Sequence, residues 1–328
     1  MRIVLKNQAS IVAFSSVGGE FELQGPLGKC LDFVDKKNRF GKRTWEQAEA
    51  KMQDIALSLA MKKAKVTDAD IDFLFAGDLI NQCTSAGFGL IDYQIPFVGI
   101  YGACSTAALG LGLSAVFLEC DQIKRCAAVT SSHFCSAERQ FRFPLEYGSL
   151  RTPTSQHTVT GSAAFILEKT EGEPRITEVF FGQSIDSGVI DANNMGAAMA
   201  PAAADTLTKY FKSSNLSPND FDLIVSGDLG YEGYTILREI MKSRGFVLSQ
   251  NYDDCGLMIY DRIKQKMESG ASGCACSALV LATKILPEMK SKKFKNVLFM
   301  GTGALLSQAS VQQGESIPAI AHLIRIEI

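Results

Sequence analysis

The 328 residues, 46% hydrophobic and 21% charged, have the make-up of a well-cored chain, long enough for two ordinary domains or one internally duplicated one. With 33 basic against 35 acidic residues, a formal charge of -2 and no Lys/Arg run interleaved with aromatics, nothing points to a nucleic-acid partner. The longest apolar stretches, around Ala107–Leu118 and Ser277–Leu286, fall short of the ~20 residues of a spanning helix, and Met1-Arg2-Ile3-Val4-Leu5-Lys6-Asn7 turns polar too soon for a signal peptide.

Thr44 and Gln47 form a capping-box start, and Trp45, Ala48, Met52, Ile55 and Leu59 recur behind it at helical spacing. Ile71–Leu79 follows as a short apolar run ending in Gly77-Asp78, the form of a buried strand whose carboxyl end opens into a loop. Gly102-Ala103-Cys104-Ser105 opens a helix, Thr106 to about Leu118, that is apolar nearly all round and so belongs in the middle of a protein. A basic turn, Lys124-Arg125, leads to a strand at Cys126–Ser131, and Ala163–Glu168 gives another. The polar, turn-forming stretch Glu168–Pro174 sets a divide near residue 170.

Beyond the divide the same passage is heard again. A helix over Pro201–Lys212 precedes the turn Ser217-Pro218-Asn219-Asp220 and the run Phe221–Leu229, which carries Gly227-Asp228 where the first carries Gly77-Asp78. Gly273-Cys274-Ala275-Cys276-Ser277 opens a second buried helix, Ala278 to about Met289. Lys295-Asn296, the strand Val297–Gly301 and the strand His322–Ile328 complete it. The repetition predicts halves 1–170 and 171–328, two mixed sheets around a central helix pair, acting as one rigid unit. Leu111, Leu113, Leu279 and Leu281 of that pair are expected to be nearly free of solvent.

The nine cysteines are odd in number and follow no secreted framework, so reduced thiols in an intracellular compartment are expected. Cys274 and Cys276 form C-x-C rather than C-x-x-C, and with three histidines in the chain no metal site is expected. Cys104 stands out, because a helix start favours a thiolate and its small neighbours leave room for a ligand. The plain alternative is a cysteine filling a gap in the core. His133 ends a strand, with Arg139 and Arg142 close behind. A satisfied structural histidine and a solvated turn paired to Glu138 compete there with an anion-binding group. The alanine- and methionine-rich Met195–Asp205 reads as close packing at a subunit or domain contact.

A duplicated α/β chain with Cys104 at the start of its first central helix resembles the thiolase and ketoacyl-synthase superfamily, whose fold has five layers, αβαβα. Gly270-Ala271-Ser272-Gly273 is similar to the thiolase G-H-P-x-G-A-S-G loop, and Gly301-Thr302-Gly303-Ala304 stands where that family has a Gly-rich loop. Within the superfamily the chain looks like the stage V sporulation protein AD family. Gly77–Gln82, Thr130–His133 running into Ala137–Pro144, and Met195–Thr206 carry that likeness. Alignment on the enzymes puts Met267 and Gly227 where catalytic histidines belong, and Thr302 at the place of the second thiolase cysteine.

The resemblance therefore implies a thiolase-like fold without its machinery: a non-catalytic subunit binding dipicolinic acid, with or without calcium, in the spore's uptake assembly. It implies a peripheral place at the inner membrane of the forespore, held by other stage V sporulation A membrane proteins, and a homodimer joined through a strand of the first half. No cofactor is implied. The expected ligand-binding residues are Cys104, His133, Arg139 and Arg142, with His322 entering by analogy. The competing class is a Cys104-dependent acyl-transferring or condensing enzyme with His133 or His322 as base. A scaffold without any pocket is the third.

Overall fold

The computed structural model describes residues 1–140 and 151–328. Its first half contributes β1 (Arg2–Gly18), β2 (Phe73–Gly77), β3 (Phe97–Gly99), β4 (Arg125–Ser132) and β5 (Gly161–Lys169). The second contributes β6 (Arg175–Phe181), β7 (Leu223–Ser226), β8 (Tyr252–Asp254), β9 (Asn296–Ala304) and β10 (Ala319–Glu327). Their spatial order is β8-β7-β9-β10-β6-β1-β5-β4-β2-β3. Each half repeats one pattern, two parallel pairings on the outside and two antiparallel ones toward the middle.

The sequence predicts two mixed sheets, and the structure adds that they are joined along one edge. β1 runs on past its own half and pairs antiparallel with β6, Arg2 opposite Phe180 and Ser10 opposite Arg175. The two five-stranded sets thus join edge to edge, and with the short strand Phe33–Val34 beside β1 they form one eleven-stranded sheet. Pairing β1 with β6 covers both inner edges except at a break in register between Val4 and Ala9.

Period-two alternation sorts the strands' side chains into layers. Leu74, Ala76, Ala127 and Val129 pack outward under α1 (Trp45–Ala64), while Phe75, Cys126 and Ala128 face the centre. In the second half Ile224, Leu298 and Met300 pack outward under α3 (Met195–Ser214) and α4 (Gly230–Ser243), and Val225, Val297 and Phe299 face the centre. Between the two sets lie α2 (Thr106–Phe117) and α5 (Cys274–Val280), the latter continuing through a π turn, Leu281–Ile285, into Leu286–Lys290. Leu111, Leu279 and Leu281 are fully buried there, whereas Leu113 is half-buried at the edge.

Helix α1 begins at the predicted cap, with the Thr44 hydroxyl accepting from the Gln47 N–H at 3.2 Å, although Gln47 does not return the bond that would complete the capping box. Its buried face differs from the apolar spacing. Ala48, Met52, Ala56 and Leu57 are buried together with Glu49 and Gln53, and Trp45, Ile55 and Leu59 are half-buried. Hydrogen bonds account for Glu49 and for the nitrogen of Gln53, whose amide oxygen has no partner among the described residues. Ser131 and Ser136 donate to the Glu49 carboxyl at 2.9 and 2.5 Å, and Gln53 donates to the Ser131 hydroxyl at 2.7 Å. Met195–Asp205 is likewise the first half of α3, buried within its own half.

Burial, and after it the neighbouring Asp78, raise the Glu49 carboxyl above its usual range; burial raises Asp78 too. A folded-state carboxyl pKa raised above the unfolded value means that the native state binds more protons. Its stabilisation is complete below about pH 4 and is lost as pH rises through the raised value. Stability of the wild type is therefore expected to decline between pH 5 and 8 more steeply than that of Glu49→Gln, which keeps Asp78 but has no titrating group at position 49. Denaturant melts at several pH values measure this, and parallel slopes for the two proteins would contradict it.

Candidate ligand cavity at the Cys104 turn

Cys104 follows Ala103, whose φ of 48° is left-handed, a conformation unusual for any residue but glycine. This sharp turn sets Cys104 in the lining of a cavity of about 240 Å³. From the first half, Leu79, Asn81, Gln82 and Tyr101 line it, with Gln140 and Thr158 at one side. From the second half come Ser272 beside the thiol, Met195 from the start of α3, and Ala304, Leu306 and Ser307 beyond β9. No lining residue among those described carries a charge.

The two Gly-Asp repeats serve this place differently. Asp78 accepts from the N–H groups of Ile80 and Ala86, both at 2.8 Å, and so fixes the loop that presents Asn81 and Gln82. Asp228 is fully buried and reaches the cavity through the lining residue Ser272. Ser272 Oγ and Thr302 Oγ1 each donate to it at 2.7 Å, and the Gly273 N–H donates at 3.0 Å. Gly273 has φ 105°, and a Cβ there would approach Ser132 Oγ at 2.6 Å, so only glycine fits.

The Cys104 Sγ lies 3.7 Å from Ser272 Oγ. Burial, then the charge of Asp228, push the thiol well above its ordinary pKa range. Burial also pushes the Asp228 carboxyl up, against hydrogen bonds from Ser272, Thr302 and Cys104 that pull it down. A carboxyl facing a thiol in an apolar surround holds that thiol protonated, the reverse of what a cationic partner does.

The residues expected to bind ligand are distributed as follows. Cys104 lines the cavity. His133 does not: its Nε2 bonds the Asn38 carbonyl at 2.8 Å, its Nδ1 accepts from the Cys135 N–H at 3.1 Å, and its ring packs on Trp45. Burial lowers its pKa to about 4, so it offers no charge near neutrality. Arg139 also lies off the lining and pairs with Glu46, not with Glu138, which Arg151 takes. His322 is buried on β10 outside the lining, accepting from the Gly182 N–H at 3.3 Å, with burial lowering its pKa to about 4. Arg142 lies outside the described residues. Of the positions aligned with catalytic groups, Met267 packs in the central core, and a Cβ at Gly227 would meet Thr302 N at 2.9 Å.

Asn81, Gln82, Ser272 and Asp228 are the parts of the site that residue-by-residue reading passes over. The repeated Gly-Asp was the signal for Asp228. Nothing local marks the two amides, because they sit in a loop whose position depends on Asp78.

Comparison with known proteins places this geometry. Residues 1–327 match the family model of stage V sporulation protein AD (SpoVAD). The chain is 40% identical over 324 residues to stage V sporulation protein AD of Bacillus subtilis (strain 168), covering 99% of this chain and 96% of that protein. Among solved structures, Xanthomonas campestris OleA superposes with a TM-score of 0.62 at 14% identity, over 99% of this chain and 100% of that one. The 3-oxoacyl-[acyl-carrier-protein] synthase III of Aquifex aeolicus VF5 gives 0.60 at 11%, over 98% and 100%. These two likenesses establish a thiolase-like fold.

Proposed function

From a chain that belongs to the stage V sporulation protein AD family, we propose a non-catalytic subunit that binds dipicolinic acid in the Cys104 cavity during sporulation. The observation that carries this reading is the pairing of Cys104 with a buried carboxyl, Asp228, in a cavity that no histidine lines among the described residues. A thiol enzyme needs a base to form its thiolate, and the base supplies about 10² to 10⁴-fold.

A volume of about 240 Å³ lies below the ~300–1,000 Å³ of sites for drug-sized molecules and suits a small, flat one. Its amide and hydroxyl lining offers neutral donors to carboxylates, while Leu79, Met195 and Leu306 offer apolar contact to a ring. Membrane-embedded partners of the sporulation assembly would hold the subunit at the spore inner membrane, since no helix among the described residues is long and apolar enough to cross one.

Titration calorimetry tests the ligand. Dipicolinate should bind the wild type with one site per chain, benzoate far less tightly, and Cys104→Trp, which fills the cavity, at least a hundredfold more weakly. Equal binding by wild type and Cys104→Trp would move the site elsewhere; no binding by the wild type would remove dipicolinate from the reading.

A further inference from the structure

We propose that Asn81 and Gln82 form the recognition edge of this cavity, reading a planar carboxylate-bearing molecule through side-chain amide hydrogen bonds. The proposal rests on the binding reading of the cavity and adds the residues that would give it selectivity.

Two independent features point to this segment. Both amides line the cavity, both residues are exposed enough to meet a ligand from solvent, and no hydrogen bond to the described residues ties either side chain. The buried amides Gln53 and Gln156 donate through their nitrogens to protein groups inside the fold and do not line this cavity. The backbone that presents the free pair is also held in an unfavourable form. Gln82 and Cys83 are consecutive left-handed residues, φ 57° and 51°, with no glycine to ease them.

That conformation is clamped from three sides. The Asp78 carboxyl accepts from the Ile80 and Ala86 N–H groups, the Thr84 hydroxyl donates to the Asn81 carbonyl at 2.7 Å, and the Cys83 thiol donates to the Ile100 carbonyl at 3.2 Å. Strain kept by such over-determination is found where a side chain must be presented at a fixed angle. An amide also matches the ligand chemistry, since its NH2 donates to a carboxylate oxygen while its carbonyl accepts from a protonated ring nitrogen or hydroxyl.

The conformation gives the test two readouts that move in opposite directions. Gln82→Gly relieves the left-handed strain while deleting the amide, so it should melt higher than wild type and bind at least tenfold more weakly. Gln82→Leu deletes the amide without relieving the backbone, and should lose the same affinity with no thermal gain. The probes are dipicolinate, isophthalate and benzoate, each titrated into all three proteins by calorimetry.

Loss of affinity in both variants for whichever probe binds the wild type supports the proposal. If only isophthalate behaves so, the recognition edge stands and dipicolinate is the wrong ligand. Undiminished binding by Gln82→Gly and Gln82→Leu overturns the proposal and leaves the cavity reading intact. Wild type that binds none of the three probes overturns it too.

Discussion

Asp228→Ala is expected to lose on the order of 3–5 kcal/mol of stability, the cost of stripping the acceptor from a buried polar cluster. The change leaves two hydroxyls, Ser272 and Thr302, and the Gly273 N–H without the group to which all three donate. They come from the loop before α5 and from β9, so the damage falls where both meet the Cys104 turn. In a chain of this size each kcal/mol moves the melting midpoint by roughly 2 °C, which makes the expected shift about 6–10 °C. Asp228→Asn should cost less, because the amide keeps one acceptor oxygen for the three donors. Thermal melts of the three proteins decide it. An alanine variant melting within a degree of wild type would mean that the hydroxyls find other partners and that Asp228 is no anchor.

How much of this was readable beforehand follows from what each feature depends on. Strands such as Cys126–Ser131 and Ala163–Glu168 lie within one residue or two of β4 and β5, since a buried apolar run bounded by turn residues has few other uses. The central helices were equally plain, because α2 is apolar on every face. Joining of the halves through β1 and β6 was not readable, as pairing partners leave no mark in a strand that alternates on both faces. Burial of Glu49 was hidden for a related reason: Ser131 and Ser136, which satisfy it, come from elements some eighty residues away.

At the candidate site, the Gly-Ala-Cys turn marked Cys104, and the repeated Gly-Asp marked Asp78 and Asp228. His133 and Arg139 look like ligand groups in sequence only because their actual partners, the Asn38 carbonyl and Glu46, lie on another stretch of chain. The described lining in their place is neutral, and a row of amides and hydroxyls has no motif to announce it.

The second large effect concerns reactivity, on which the binding reading turns. Thiolases and condensing enzymes begin by transferring an acyl group to the cysteine, and the attacking species is the thiolate. Here burial and Asp228 keep Cys104 protonated, and none of the chain's histidines is placed in the cavity lining to take its proton. Intact-protein mass spectrometry after incubation with excess acetyl-CoA and a longer acyl-CoA is the direct measurement. The account predicts an unmodified mass for the wild type, indistinguishable from that of Cys104→Ala. A stoichiometric acyl adduct on the wild type that disappears in Cys104→Ala would contradict it and make this chain a working thiol enzyme.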